Sequence, residues 1–377
     1  MSSFNSQEMP LVSICIPAYN AEATIAETLD TVLAQDYPLL DVVVSDNQST
    51  DNAKAIVQEY ANRGVRYVYH SEGRPDWAAG MPSYIGAYLN ANYALSHGQG
   101  DFLCLYHADD VYQPDIIRKQ VEVMQSNPNV GAVFTMLRTI CDNGQPIRIG
   151  SRRLPPELRG QQCFDYETLF NAILTHSNFL PASSVMLRRS ALEAVGGFNE
   201  QQWRTSADLE MWLRIAQRYA ISIIDEPLLN YRVSQIHFSA QYNKLRTTVW
   251  DFFIVIDHFL DIPEVRQRVR PEALFRYEMQ RTSDDIIRAA NMIVLGEIPN
   301  ARSLLKSACS RLAFKAGLRD LVFARRFWLG NLLRLSLWLG LGNLGGKVYK
   351  NVYQPWLMKQ RLQPLTRYED FGRVGHL

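Results

Sequence analysis

Several common signals are missing from this chain, and each absence narrows what it can be. The 377 residues carry a net charge of only +1, which argues against a nucleic-acid binder working by bulk charge. The five cysteines, at positions 15, 104, 141, 163 and 309, are odd in number and scattered, with no CxxC or metal-type spacing. Cys15 and Cys104 sit in apolar runs, where a free thiol behaves as a small hydrophobe, so a reducing, cytosolic setting is expected. No GxGxxG follows the first or second strand-like run, which counts against a nicotinamide or flavin fold. Met1 to Pro10 has neither a positive n-region nor a long apolar h-region, so a secretory leader is not expected. No internal repeat is evident.

What is present is a core. Apolar residues make up 47% of the chain, and this length predicts about two domains. Leu11–Ile16, Val42–Val44 and Val65–His70 read as buried strands, separated by helical patterns over 21–34 and 53–62. Asn20 is the expected N-cap of the first helix. That alternation predicts a Rossmann-like, doubly wound, mostly parallel α/β sheet. Further strands are expected at 102–106, 130–138, 183–187 and 221–224, with helices near 84–97, 115–126 and 208–219. Past about residue 240 the strand-like runs stop, and helices are expected at 244–260, 271–295, 299–316 and 318–345. The expected division is a tail over 1–10, an α/β domain over 11–240 and an α-helical region over 241–377.

The stretch Leu103-Cys104-Leu105-Tyr106-His107-Ala108-Asp109-Asp110 organises the first part. An apolar strand empties into two adjacent carboxylates, which repel unless a cation or a ligand hydroxyl compensates. Pro17-Ala18-Tyr19-Asn20 offers backbone amides and an aromatic face where the first strand meets a helix; alone it is an ordinary turn as readily as a site. Asp46 to Asp51 suits the NH of a base or a ribose hydroxyl, or forms only an Asx-turn and cap cluster. Asp208 and Glu210, near a helix start, are either dipole partners or a general base. They point about 200° apart, so only one can face a site. Tyr231-Arg232, with His237 and Ser239 beyond, offers groups for phosphates or a metal, although a lone His is more often structural.

In this order the motifs resemble those of the family-two glycosyltransferases of GT-A fold. The matching residues are Pro17-Ala18-Tyr19-Asn20, Ser45-Asp46-Asn47-Gln48-Ser49-Thr50-Asp51, and Asn92-Tyr93-Ala94-Leu95 with Gly100-Asp101. The acidic pair, Val195-Gly196-Gly197-Phe198-Asn199-Glu200, Asp208-Leu209-Glu210-Met211-Trp212-Leu213-Arg214 and Tyr231-Arg232 follow. The resemblance covers about residues 10–240. It implies inverting transfer from a nucleotide-diphospho-sugar, a UDP-sugar being favoured, to a saccharide or lipid-linked acceptor, with Mg2+ or Mn2+. Asp46 would bind the base, the Pro17, Ala18, Tyr19 and Asn20 backbone would line the nucleotide, and Asn92 and Arg232 would complete the donor site. Asp109 would contact ribose or metal, Asp110 would ligate the metal with His237 as a further ligand, and Asp208 would be the general base.

Three departures stand out. His107 occupies the position of the first Asp of the family's D-x-D-D pattern, and Ala207 replaces the usual Glu before the base. The Gln-x-x-Arg-Trp of processive members is absent, which favours addition of one sugar. The rival readings are a nucleotidyltransferase on a related sheet and a non-catalytic nucleotide-sugar binder. The first should show a Gly-rich basic loop after the first strand, which Pro17-Ala18-Tyr19-Asn20 is not.

The C-terminal region has its own chemistry. From Lys315 to Arg361 there are nine basic residues and one acid, Asp320, so this end expects an anionic partner. Phe327–Gly346 is twenty residues long with one charge, Arg334, just long enough to span a bilayer. Arg334 near its middle costs about 2.5–3.5 kcal/mol there. A helix lying in the membrane interface is therefore the favoured reading of 318–361, ahead of a packed helix and of a span. Peripheral placement on a cytoplasmic membrane face and homo-oligomerisation are further expectations.

Overall fold

The computed structural model describes residues 9–73, 86–233, 245–309 and 321–355. The chain falls into two compact units, one formed by 1–144, 151–169 and 179–232, the other by 145–150, 170–178 and 233–377. The expected boundary near 240 lies outside the described residues, as do His237 and Ser239.

The first unit is built on a mixed, mostly parallel sheet. Its strands are β1 (Val12–Ala18), β2 (Leu40–Asp46), β3 (Val65–Tyr69), β4 (Phe102–Leu105), β5 (Val111–Tyr112) and β6 (Val130–Ile140), followed by β7 (Cys163–Phe164), β8 (Met186–Arg188) and β9 (Ala220–Arg232). The spatial order is β3-β2-β1-β4-β8-β6-β9-β5. The run β3-β2-β1-β4 is parallel, β8 lies antiparallel between β4 and β6, and β6 and β9 are parallel. Reversal of strand order beside β1 is where such sheets leave a crevice at their carboxyl edge.

Local sequence explains these elements. β1 is buried on both faces, which an apolar, β-branched run such as Val12-Ser13-Ile14-Cys15-Ile16 tolerates. The helix α1 (Ile25–Leu33) sets Ile25, Leu29 and Val32 against that sheet at helical spacing. α2 (Ala53–Glu59), α3 (Ala87–His97), α4 (Ile116–Ser126), α5 (Arg189–Val195) and α6 (Ala207–Ala216) complete what positions the site. All five cysteines are free thiols.

Two local expectations are corrected. Asn20 is not a helix cap: α1 starts four residues later than expected, after Thr24, and Asn20 takes a left-handed conformation with φ 48°. The last strand is thirteen residues long, not the short run 221–224. Asp225-Glu226-Pro227 interrupts the apolar signal there. The backbone absorbs them as a register shift against β6 around Pro227 and then resumes pairing.

Within the second unit, α7 (Asp251–Leu260), α8 (Pro271–Val294), α9 (Ile298–Ala308), α10 (Leu321–Trp338) and α11 (Gly342–Val348) are the principal described helices. Ile286, Ala289, Ala290 and Ile293 of α8 bury against Ala301 and Leu305 of α9 and Leu333 and Leu337 of α10. The expected single helix over 318–345 is broken: Gly340, with φ 75°, turns the chain between α10 and α11. Glycine adopts that conformation without a Cβ penalty. Among the described residues, no helix is long and apolar enough to cross a membrane.

Candidate active site

The carboxyl ends of β1, β2 and β4 bring three loops together. The first, after β1, and the second, after β2, are laced to each other. Asn20 donates its N–H to Ser49 Oγ at 2.9 Å, and its side-chain oxygen accepts the Thr50 N–H at 2.8 Å. Glu22 donates its N–H to the Asp51 carboxylate at 2.8 Å, and its own carboxylate accepts the Asn52 N–H at 2.9 Å. Gln48 also sits at positive φ, 61°. Each of these loops thus holds a non-glycine residue in the left-handed region, a costly conformation that surrounding bonds must enforce. Pro17 and Ala18 lie at the end of β1, paired with Ser45 and Asp46, and Tyr19 stands half exposed beyond them.

Asp46 is buried, with both carboxylate oxygens engaged: Oδ1 accepts the Ser49 N–H at 2.9 Å and Oδ2 the Tyr67 hydroxyl at 2.6 Å. The first bond closes the loop after β2 on itself, and the second ties β2 to β3. Burial, then the hydrogen bond to Asp46, pushes the Tyr67 phenol upward.

The third loop carries the acidic pair, whose members have different environments. Asp110 is fully buried. Its Oδ1 accepts the backbone N–H of Arg232 at 2.9 Å, and its own carbonyl accepts the Thr28 hydroxyl at 2.9 Å. Oδ2 has no hydrogen-bond partner, and His107 Nδ1 stands 3.9 Å away. Burial, then the neighbouring Asp109 charge, raises the Asp110 carboxyl well above the usual range, against hydrogen bonds from Arg232 N–H and Ser183. Asp109 is partly exposed. His107, Asp109 and Asp110 each present a ligand atom within 4.8 Å of the others, a grouping that could hold a metal ion. The buried, unpartnered Asp110 oxygen facing an imidazole fits a divalent cation, because leaving it unmatched is costly.

Arg232 is buried and holds this loop from behind. Its guanidinium donates to the Asp109 carbonyl at 2.9 Å, the Asp142 carbonyl at 2.8 Å and Glu27 Oε2 at 2.5 Å. It was expected at a phosphate; its partners here are the backbone of the acidic loop and one carboxylate of α1.

Asn92 also has a different partner from the one expected. Its amide bonds both the N–H and the carbonyl of Phe198, each at 2.8 Å. A Cβ on Gly197 would lie 2.3 Å from the Asn92 side-chain oxygen, so that loop needs glycine for close approach. Asn90, two residues earlier, was not singled out from sequence. It is buried and donates to the carbonyls of Ala18 and Ser45 at 3.2 and 3.0 Å, tying β1 to β2 where they open onto the site.

Asp208 lies in the first turn of α6, where its Oδ1 accepts the Leu209 N–H at 2.7 Å. Glu210 is buried in a bidentate pair with Arg214, at 2.7 and 2.8 Å, and Arg214 continues to the carbonyl of Gly197 at 2.9 Å. The two acids therefore separate as the helical angle requires, and Glu210 serves the Gly196-Gly197 loop. Tyr88 links Asp208 to the rest. Burial, then the charges of Asp208 and Glu200 and a hydrogen bond to Asp208, raise its phenol well above the usual value, with Tyr231 adding to the shift. Glu200 is buried and caps α3, accepting N–H groups of Gly86, Tyr88 and Leu89 at 2.9, 3.2 and 3.3 Å. Neither Tyr88 nor Glu200 was assigned a role from sequence, since their partners lie more than a hundred residues away.

Residues 13–196 match the sequence model of the family described as Glycosyl transferase family 2. An Escherichia coli relative, "UDP-Glc:alpha-D-GlcNAc-diphosphoundecaprenol beta-1,3-glucosyltransferase WfgD", is 25% identical over 68% of this chain and 89% of its own length. Among solved structures, S. aureus TarS 1-349 in complex with UDP-GlcNAc superposes with a TM-score of 0.54 at 17% identity, over 90% of this chain and 92% of that one. A mannosyltransferase from Pyrobaculum calidifontis, PcManGT, in complex with GDP-Man and Mn2+, gives 0.50 at 20% identity over 92% and 88%. The chain thus carries a glycosyl transferase family 2 domain over residues 13–196, with the GT-A fold.

Proposed function

We propose that this protein transfers one sugar, with inversion, from a nucleoside-diphosphate sugar to an acceptor hydroxyl, and that it needs Mg2+ or Mn2+ to do so. The observation that carries the reading is the grouping of His107, Asp109 and Asp110 at the sheet's carboxyl edge, with a buried Asp110 oxygen left unpartnered. His107 stands with the pair as a third ligand group, and His237, the further ligand the resemblance implies, lies outside the described residues. An imidazole among carboxylates tilts the set toward a first-row transition ion such as Mn2+. When bound, the cation would offset the charge developing on the departing diphosphate.

The chain's own residues do the rest. Arg232 fixes the acidic loop by its carbonyl and amide bonds, so Asp109 and Asp110 keep their spacing without a ligand. Asp46, Tyr19 and the Pro17–Asn20 backbone line the base and ribose, with the exposed Tyr19 ring offering a stacking face. Asp208, held beside the Tyr88 phenol, takes the proton of the acceptor hydroxyl. That oxygen then attacks the anomeric carbon from the face opposite the diphosphate. The bond to the diphosphate breaks, the nucleoside diphosphate leaves with its electron pair, and the new glycosidic bond has inverted configuration.

The names and ligands of the relatives support a UDP-sugar donor and a saccharide or lipid-linked acceptor in cell-surface polysaccharide or glycolipid synthesis. The free, scattered thiols support a cytoplasmic setting. The test is Asp208→Asn. Turnover should fall about 10²–10⁴-fold, while a Mn2+-dependent thermal shift with the donor nucleotide is unchanged. Full turnover in Asp208→Asn refutes the base assignment. A nucleotide shift without turnover in the unsubstituted enzyme, across donor and acceptor panels, favours a non-catalytic binder.

A further inference from the structure

The helix α10 is apolar on two opposite faces. Phe323, Phe327, Leu333 and Leu337 are buried within the second unit. Trp328, Leu332 and Leu335 follow at spacings of four and three, which stacks them on one stripe opposite Leu333 and Leu337 at 100° per residue. That stripe is open, with Trp328 56% and Leu332 64% exposed. A helix that faces only water carries polar residues there, whereas one apolar all round has a second apolar neighbour. At the end of α10, next to the turn at Gly340, Trp338 is 79% exposed, and Leu339 and Leu341 beside it are also exposed. Leu344 and Val348, four residues apart, carry the apolar surface onto α11.

Charge identifies what covers this surface. From Leu321 to Pro355 the sequence has five basic residues, Arg325, Arg326, Arg334, Lys347 and Lys350, and no acid. Arg325, Arg334, Lys347 and Lys350 are exposed. An apolar face mixed with cations alone matches an anionic layer with hydrocarbon beneath it. A second copy of the chain would bring five positive charges against five, which like-charge repulsion opposes. The break at Gly340, and the absence of a membrane-crossing helix among the described residues, restrict the contact to the surface.

We infer that the α10–α11 face docks on the interface of an anionic lipid bilayer, with the Trp338-Leu339-Gly340-Leu341 turn at headgroup depth. Trp at such a turn suits the headgroup region, where an amphipathic ring meets both phases. This inference is independent of the transfer reading, since it concerns partition and not turnover.

The test uses the full chain, sedimented with vesicles of equal parts phosphatidylglycerol and phosphatidylcholine, or of phosphatidylcholine alone. Two variants accompany it, Leu332→Glu/Leu335→Glu and Lys347→Glu/Lys350→Glu, each checked for an unchanged thermal midpoint. The protein should partition to the anionic vesicles, and each variant should weaken that partition by about tenfold or more, with salt weakening it further. Equal binding to both vesicle types, no binding to either, or wild-type partition by both variants overturns the inference. A dimer in lipid-free sedimentation velocity that Leu332→Glu/Leu335→Glu dissociates also overturns it, in favour of a self-interface. Should the leucine variant fail to fold, the lysine variant alters only exposed side chains and decides the matter.

Discussion

Glu200 makes the sharpest prediction about how the site is held together. Its buried carboxylate accepts three N–H groups at the start of α3, at 2.9 Å from Gly86 and 3.2 and 3.3 Å from Tyr88 and Leu89. These are donors that a helix cannot satisfy internally. Glu200→Gln keeps the shape but turns one acceptor oxygen into a donor. If the remaining oxygen keeps Tyr88 and Leu89, the Gly86 N–H faces an NH2 group. Leaving that buried donor unmatched costs about 1–3 kcal/mol, and losing the negative charge at the helix N-terminus costs roughly 0.3–1 kcal/mol more. The expected loss is therefore about 1–4 kcal/mol, within the range of a broken buried network. Urea unfolding followed by far-UV circular dichroism measures it, with the slope against denaturant required to stay constant. Because α3 also carries Tyr88, Asn90 and Asn92, donor binding should weaken in the same variant. A Glu200→Gln midpoint indistinguishable from wild type would refute the capping argument.

Two further outcomes follow from packing and protonation. A Cβ on Gly100 would lie 2.4 Å from the Leu11 carbonyl oxygen and 2.6 Å from the Ser13 nitrogen, so Gly100→Ala should destabilise by about 1–3 kcal/mol; an unchanged urea midpoint would count against this close approach. Burial lowers the His70 imidazole below its ordinary value of 6.5, so the unfolded chain takes up this proton at a higher pH than the folded one. Stability should therefore drop as pH falls through and below that value, and His70→Gln should flatten that part of the profile, read from thermal midpoints across the pH range.

Much of the first unit could be read from local pattern. Apolar runs such as Leu103–Tyr106 are buried on both sides of a sheet, so the run itself reports the strand and its end reports the loop. The acidic pair was legible for that reason, as was the separation of Asp208 from Glu210, which the helical angle alone requires. The reading failed where a signal was interrupted. Asp225-Glu226-Pro227 hid half of β9, and Gly340 split a helix whose composition looked continuous.

The alternation of elements, the family resemblance and the loops able to hold chemistry were all legible in the chain, because periodicity and motif order are properties of neighbouring residues. What each polar side chain touches became visible in the fold alone. Arg232 grips the acidic loop from 122 residues away, Asn92 clamps Phe198 across 106, and Glu200 caps a helix more than a hundred residues upstream. Such pairings are fixed by where folded elements meet, and a buried donor or acceptor takes whatever partner that meeting provides. The opening acidic pair shows the difference most clearly. Motif position alone separated the two aspartates in sequence, whereas in the fold burial, an amide from Arg232 and a facing His107 give Asp110 an environment that Asp109 does not share.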